Sequence, residues 1–296
     1  MTIPTGKSVC VCAVGYKGLK FLELARQRIN ISQVISYEVS GKEGQCHKEL
    51  LNLCKAQGWL YTDDRHPDVE KIESELIYFV GWQFLLSKTD RRCIVFHDSL
   101  LPRYRGFAPT VSALINGDEK LGVTALLPGL KADEGPIVSQ AEISVRHPVR
   151  IKDVFDELAH CYLTLGLEIA SGPVPPPATA QSTKGASFSL WRDESDYFIE
   201  WSQSSDLIQR QIFACSWPYD GARTRYEKST IIIDDAEALA DELPIEQRDR
   251  MCGKFIAVHD GEPLVVCGEG LLKIKAALDL EGARIRFRDS IRQRLD

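Results

Sequence analysis

Apolar and polar positions alternate along this chain with two different periods. From Ser8 to Gly15 the sequence SVCVCAVG is an apolar run ended by glycine, the pattern of a strand buried on both faces. Gln33 to Tyr37, Leu76 to Val80 and Cys93 to Phe96 repeat it. Between these runs the spacing becomes helical. Phe21, Leu22, Leu24 and Ala25 form one stripe within Phe21 to Ile29, and Leu50, Leu51, Leu53 and Cys54 form another within Cys46 to Gln57. Strands alternating with helices at this spacing predict an α/β fold with a Rossmann-like, open, mostly parallel sheet. Ligands bind such sheets beyond the carboxyl ends of the strands. The segments after Val80 and after Phe96 are therefore candidate sites before any motif is considered.

Phe155 to Ile169 predicts a further amphipathic helix. It is followed by GPVPPPATAQSTKG, in which Pro173, Pro175, Pro176 and Pro177 can neither continue a helix nor donate to a sheet. This reads as an extended connection. Beyond it Ser205 to Phe213 is helical in pattern. Phe255 to Val258, Leu264 to Cys267 and Leu271 to Ile274 are short strands punctuated by Asp260-Gly261 and Gly268 to Gly270. A second, smaller, β-rich, OB-like C-terminal domain is expected. The expected division is a Rossmann domain over 1–175, a connecting segment over 176–202 and the β-rich domain over 203–296.

Composition narrows the function classes. The 296 residues carry a net charge of −6, which lacks the broad basic footprint of a nucleic-acid binder. Nine cysteines are scattered without a disulfide or zinc-knuckle spacing, and so many free thiols suggest a reducing cytoplasm. Cys10 and Cys12 share one face of their strand as small buried thiols. No apolar stretch reaches ~18 residues and the N-terminus is short and polar, so neither membrane span nor signal peptide is expected. His47, His66, His147, His160 and His259 show no ligand spacing, and no metal is expected. Gly15-Tyr16-Lys17-Gly18 departs from G-x-G-x-x-G and argues against a nicotinamide site.

The stretch with chemistry runs from Ile94 to Ile137. An apolar strand delivers His97 at its end, and Pro102, Arg103, Tyr104, Arg105 and Gly106 follow in a loop. A second apolar run, Val123 to Leu127, leads into a loop bearing Asp133 and Gly135. A histidine and a carboxylate at adjacent strand ends can share a proton and orient an imidazole. The same spacing also suits a capping histidine and a turn aspartate.

The string H-x-S-L-L-P-x-Y-R-G beginning at His97, followed by I-N-G-D, G-V-T and D-x-G-P-I, resembles the folate-dependent formyltransferases. That family includes methionyl-tRNA formyltransferases and N-formyltransferases of nucleotide-linked amino sugars. Gly81-Trp82-Gln83-Phe84-Leu85-Leu86 resembles its pterin-receiving loop. Phe198-Ile199-Glu200-Trp201, Pro218-Tyr219-Asp220-Gly221-Ala222 and DGEPLVVCGEGLLKI resemble its C-terminal segments.

The resemblance implies transfer of a formyl group from N10-formyltetrahydrofolate to a primary amine, by an active site of Asn, His and Asp. His97 and Asp133 fall on the last two positions, and Val95 stands where the family has Asn. Valine cannot donate to an oxyanion, and losing one such donor lowers a rate by ~10²–10³. Three outcomes stay open: another donor substitutes (Asp98, Ser99 and Gln83 are near in sequence), the chemistry differs, or the protein binds without catalysing. Folate is expected at Gly81, Trp82, Gln83, Phe84 and Leu85, and at Lys131, Ala132 and Glu134. Substrate is expected at Ser99, Arg103, Tyr104, Arg105 and Gly106, where two guanidiniums could meet a diphosphate. In the short segment Val39 to His47, Lys42, with Lys48 just beyond, is offset by Glu38, Glu43 and Glu49, which resembles the loop of the sugar enzymes. The expected acceptor is thus an amine on a nucleotide-linked sugar or similar small metabolite, with methionyl-tRNA as the alternative.

Overall fold

The computed structural model describes residues 6–39, 41, 45–86, 90–240 and 243–296. Lys42 and Glu43, on which part of the acceptor expectation rests, lie outside them. The chain divides into two compact units. The first takes in the described residues to Thr110, Glu119–Val145 and Lys152–Trp191, and the second takes in Val111–Asp118, Arg146–Ile151 and Arg192–Asp296.

The first unit is built on β1 (Val9–Ala13), α1 (Gly15–Ala25), β2 (Ile31–Ser36), α2 (Gln45–Gln57), β3 (Leu60–Asp63), β4 (Leu76–Val80) and β5 (Cys93–His97). It continues with β6 (Arg105–Gly106), β7 (Lys120–Leu126), β8 (Ile137–Ser144), most of the helix Ile151–Ser171 and the short strand Phe188–Ser189 (β9). Its seven-stranded sheet has the order β3-β2-β1-β4-β5-β7-β8. The first five strands are mutually parallel, whereas β7 runs antiparallel to both β5 and β8.

All five residues of β1 and of β4 are buried, which is why their sequence is apolar without alternation. On one face Phe96 packs against Phe21, Tyr78 and Tyr162 at ring separations of 6.1, 5.2 and 5.9 Å. The buried Tyr78 hydroxyl donates to the Gly166 carbonyl at 2.8 Å. The other face gathers Cys10, Cys12, Ile35, Ile77, Phe79 and Cys93, with Trp82, Leu86 and Val95 partly buried against them. The C-x-C thiols are thus core groups, and among the described residues no cluster of three or more His, Cys, Asp or Glu could hold a metal.

In the second unit a helix, Ser205–Ala214, accompanies a five-stranded antiparallel sheet. Its strands are Ala222–Tyr226, Ser229–Leu239, Leu271–Leu278, Glu262–Val266 and Phe255–His259, in spatial order. Ser204 caps the helix by accepting from the Leu207 amide. Tyr226, Phe255 and Phe287 form an aromatic cluster, and the buried Trp201 indole donates to Thr224 Oγ1 at 3.0 Å. Among the described residues no helix is long and apolar enough to cross a membrane.

Candidate active site

β5 ends the apolar run CIVFH, so the strand itself carries His97 to the carboxyl edge of the sheet. Because β4 and β5 are parallel neighbours with Val80 opposite Phe96, the loop 81–86 leaves the same edge beside His97. β7 and β8 form a hairpin closed by a hydrogen bond from the Leu127 amide to the Pro136 carbonyl at 3.0 Å. Its loop brings Asp133 back to His97.

The two side chains meet. His97 Nδ1 lies 3.5 Å from Asp133 Oδ2, with only 8% and 15% of the respective side chains exposed. On the other side of the ring Nε2 lies 2.7 Å from the Tyr104 carbonyl oxygen. A carbonyl can only accept, so Nε2 is the donor toward Tyr104, which turns Nδ1 toward the carboxylate. His97 is therefore oriented by the Tyr104 carbonyl on one side and faces Asp133 on the other. Asp133 Oδ2 also accepts from the Gly106 amide at 2.9 Å. Gly106 sits at φ +95°, and a Cβ there would lie 2.6 Å from the Ser189 carbonyl oxygen, so glycine alone lets the β6 backbone approach both partners.

Behind His97 the next residue, Asp98, is buried. It pairs with Lys17 Nζ at 2.5 Å and accepts from the Tyr162 hydroxyl, which anchors the strand end to α1 and to the helix Ile151–Ser171. Ser99 is also buried. Its hydroxyl donates to the Arg103 carbonyl at 2.7 Å, and its own carbonyl accepts from Thr124 Oγ1 at 2.6 Å, so it shapes the loop from within.

Other residues singled out from the sequence take varied positions. Arg103 is exposed, with its guanidinium 4.8 Å above the Tyr104 ring. Arg105 instead turns inward, bound to Gln181 Oε1 through Nε and Nη2 at 3.2 and 2.8 Å and facing Glu134 at 3.5 Å. Lys131 is exposed and faces Glu134 at 3.7 Å, and Ala132 is exposed beside it. Gln83, Phe84 and Leu85 are exposed, while Trp82 lies edge-on to Tyr37 at 5.1 Å and to Phe79 at 5.7 Å. Val95 lies two residues before His97 and so faces the same side of the sheet, against the apolar cluster.

Gln181 gave no signal in the sequence. It is a lone amide in a Pro-, Ala-, Thr- and Ser-rich connection, without periodicity or motif. Yet its Nε2 donates to the carbonyls of Asp133 and Gly135 at 2.6 and 2.7 Å.

Comparison with known proteins agrees with this architecture. The model of the formyl transferase family matches residues 45–161, and that of the formyl transferase C-terminal domain matches residues 192–294. This chain belongs to the formyl transferase family. Among its relatives, the methionyl-tRNA formyltransferase of Dechloromonas aromatica is 30% identical over 193 residues, covering 65% of this chain and 60% of that protein. The chain thus spans less than two thirds of that relative's length. A sugar 3N-formyl transferase, WlaRD, solved with dTDP and 5-N-formyl-THF, matches in fold with a TM-score of 0.62 at 15% identity, over 93% of this chain and 98% of that one. HypX from Aquifex aeolicus, solved with tetrahydrofolic acid, matches with a TM-score of 0.59 at 15% identity, over 96% of this chain but 46% of its own.

Proposed function

We propose that this formyltransferase moves a formyl group from N10-formyltetrahydrofolate to the primary amine of a nucleotide-linked amino sugar or a similar small metabolite. The observation that carries the reading is the contact of His97 with Asp133 at the edge where the loop 81–86 emerges. The residues there suit a folate. A flat heteroaromatic ring needs apolar walls and reachable backbone, and the partly buried Trp82, Leu86 and Val95 adjoin the exposed residues 83–85. Lys131, Ala132 and Glu134 flank Asp133 on the opposite loop. The bound donor supplies an electrophilic formyl carbon.

The protein's own groups divide the remaining work. The amine nitrogen bonds to the formyl carbon and the bond from that carbon to the folate nitrogen breaks; Asp133, still partly exposed, takes the proton that the amine loses and returns it to the departing nitrogen. His97, held between the Tyr104 carbonyl and Asp133, stabilises the oxyanion as its charge develops. The Gly106 amide and His97 together keep Oδ2 of Asp133 fixed, which leaves its second oxygen to face the substrate. Val95 contributes no donor, so this site relies on His97 more than an Asn-containing site would.

The fold match over nearly the full length of a sugar N-formyl transferase supports a small acceptor. The sequence relatives favour the second reading, methionyl-tRNA as acceptor. Mixing the protein with 10-formyltetrahydrofolate and either a dTDP-linked 3-amino sugar or methionyl-tRNA, and following tetrahydrofolate release, separates the two. His97→Ala and Asp133→Ala should each slow the release by ~10²–10⁴. Turnover of both acceptors no faster than by these variants would overturn both acceptor readings.

A further inference from the structure

The carboxylate at the centre of this reading sits on an unfavourable piece of backbone. Asp133 has φ +54°, in the left-handed region where residues other than glycine are uncommon. The loop around it is tightly drawn. A Cβ on Gly135 would lie 1.8 Å from the Leu127 carbonyl oxygen, and one on Gly129 would lie 3.2 Å from the Gly135 amide nitrogen. Asp is among the residues that tolerate this conformation best, but such strain persists only where surrounding groups over-determine it.

Those groups come from the far end of the unit. Thr179 and Ile137 exchange backbone hydrogen bonds of 2.8 Å in each direction, which stitches the segment after the proline run to the start of β8. Two residues on, Gln181 spans the loop. Its Nε2 gives one proton to the Asp133 carbonyl and one to the Gly135 carbonyl. Its Oε1 takes two bonds from Arg105. Arg105 directly precedes Gly106, whose amide binds the Asp133 carboxylate. The result is a closed circuit: the Asp133 carbonyl, the Gln181 amide, the Arg105 guanidinium, the Gly106 amide, and back to the Asp133 side chain. Only a carboxamide of this length offers two donors on one side and an acceptor on the other. Glutamate would set an oxygen against two carbonyls, and methionine would remove the partner of two carbonyls and of Arg105 Nε and Nη2, leaving the guanidinium with Glu134.

We infer that Gln181 is a positioning residue for formyl transfer, holding the Asp133 backbone so that its carboxylate stays against His97 and the acceptor amine. The inference rests on the roles given to Asp133 and His97 under the proposed function.

The test uses the full-length protein with Gln181→Met, Gln181→Glu, Asp133→Asn and the Asp133→Asn/Gln181→Met double variant. Donor and acceptor are 10-formyltetrahydrofolate and a dTDP-linked 3-amino sugar. A displacement of about 1 Å at a reacting group lowers a rate by ~10². Gln181→Met should therefore lower kcat by about that factor with KM for the folate changed less than threefold. Gln181→Glu, which keeps the acceptor toward Arg105, should be at least as slow, because the two carbonyl bonds are what it loses. If Gln181 acts through Asp133, the double variant is no slower than Asp133→Asn alone.

A second measurement needs no substrate. The protein has six histidines, so ¹⁵N-histidine labelling gives a readable set of ring signals, with His97 assigned by its loss in His97→Ala. The His97 signals should move in Gln181→Met in the same direction as in Asp133→Asn. Unchanged His97 signals, or fully additive losses in the double variant, overturn the positioning role. A wild-type rate in Asp133→Asn instead overturns the proposed function, and the ring signals still report whether Gln181 holds the loop.

Discussion

Val95→Asn separates the stability of this site from its chemistry, because the two should respond in opposite directions. Val95 is opposite Phe79 across the β4–β5 pair and opposite Leu126 across the β5–β7 pair. It is partly buried against Cys93, Ile77 and Phe79. An asparagine there loses two packed methyl groups and sets an amide in an apolar wall. A buried polar group without full hydrogen bonding costs about 1–3 kcal/mol. At about 2–4 °C per kcal/mol for a unit of this size, the melting temperature should fall by roughly 2–12 °C. The same amide stands on the His97 side of β5, where one more oxyanion donor is worth ~10²–10³ in rate, or about 3–4 kcal/mol of barrier. The assay is tetrahydrofolate release at saturating donor, paired with a thermal melt. Val95→Ala serves as the control, since it opens a cavity without adding a donor and should lower the melting temperature with no gain in rate. A Val95→Asn protein with the expected loss of stability and kcat within threefold of wild type would refute the reasoning, since the missing donor would then not limit the reaction.

Other consequences are more local. In Gly135→Ala the new Cβ must clear a carbonyl oxygen 1.8 Å away, so the loop has to shift by more than 1 Å; kcat should fall by ~10² or more with an unchanged far-UV circular dichroism spectrum. Burial pushes the Cys54 thiol up to about 11 and the Cys93 and Cys215 thiols up to about 12, and all nine cysteines are buried. Iodoacetamide at pH 8 should therefore label none of them within minutes in the native protein and all nine in guanidinium chloride; rapid native labelling would contradict the described packing. The Arg92 side chain, hydrogen-bonded to Asp90, holds that carboxyl below its ordinary value of 3.8. The folded state thus favours the charged form, and the resulting stability is complete above pH 3.8 and fades as the pH falls through the lower folded value. Asp90→Asn should accordingly lower the melting temperature at pH 7, with an effect that shrinks progressively as the pH falls below 3.8.

The sequence was most legible where strands are buried on both faces. The runs Ser8–Gly15, Leu76–Val80 and Cys93–Phe96 became β1, β4 and β5 within two residues at each end, because full burial removes the polar positions that confuse a period. The edges were not legible. β3 (Leu60–Asp63) and β8 (Ile137–Ser144) are the end strands of the sheet, and residues such as Gln140 and Glu142 break the apolar signal. His97 and Asp133 were visible through their motifs, since each lies in a short stretch whose neighbours are themselves constrained. Arg105 was visible but its direction was not, because a single chain cannot show that a cation in a loop is met from 76 residues downstream. Gln181 was invisible for the same reason. Its role is defined entirely by carbonyls 46 and 48 residues upstream.

The double seam of the segment after the proline run has a consequence for how such chains can drift. Residues added or lost between Gly172 and Ala178 fall before the Thr179–Ile137 seam and only alter slack, which a flexible loop absorbs for a few tenths of a kcal/mol per residue at this length. A single insertion between Thr179 and Gln181 cannot be absorbed in this way, because Thr179 is fixed at Ile137 and Gln181 at the loop it spans. It would slide the amide off the carbonyls it serves. Length variation among variants of this protein should therefore fall upstream of Thr179 or in the exposed turn after Gln181, and not between the two.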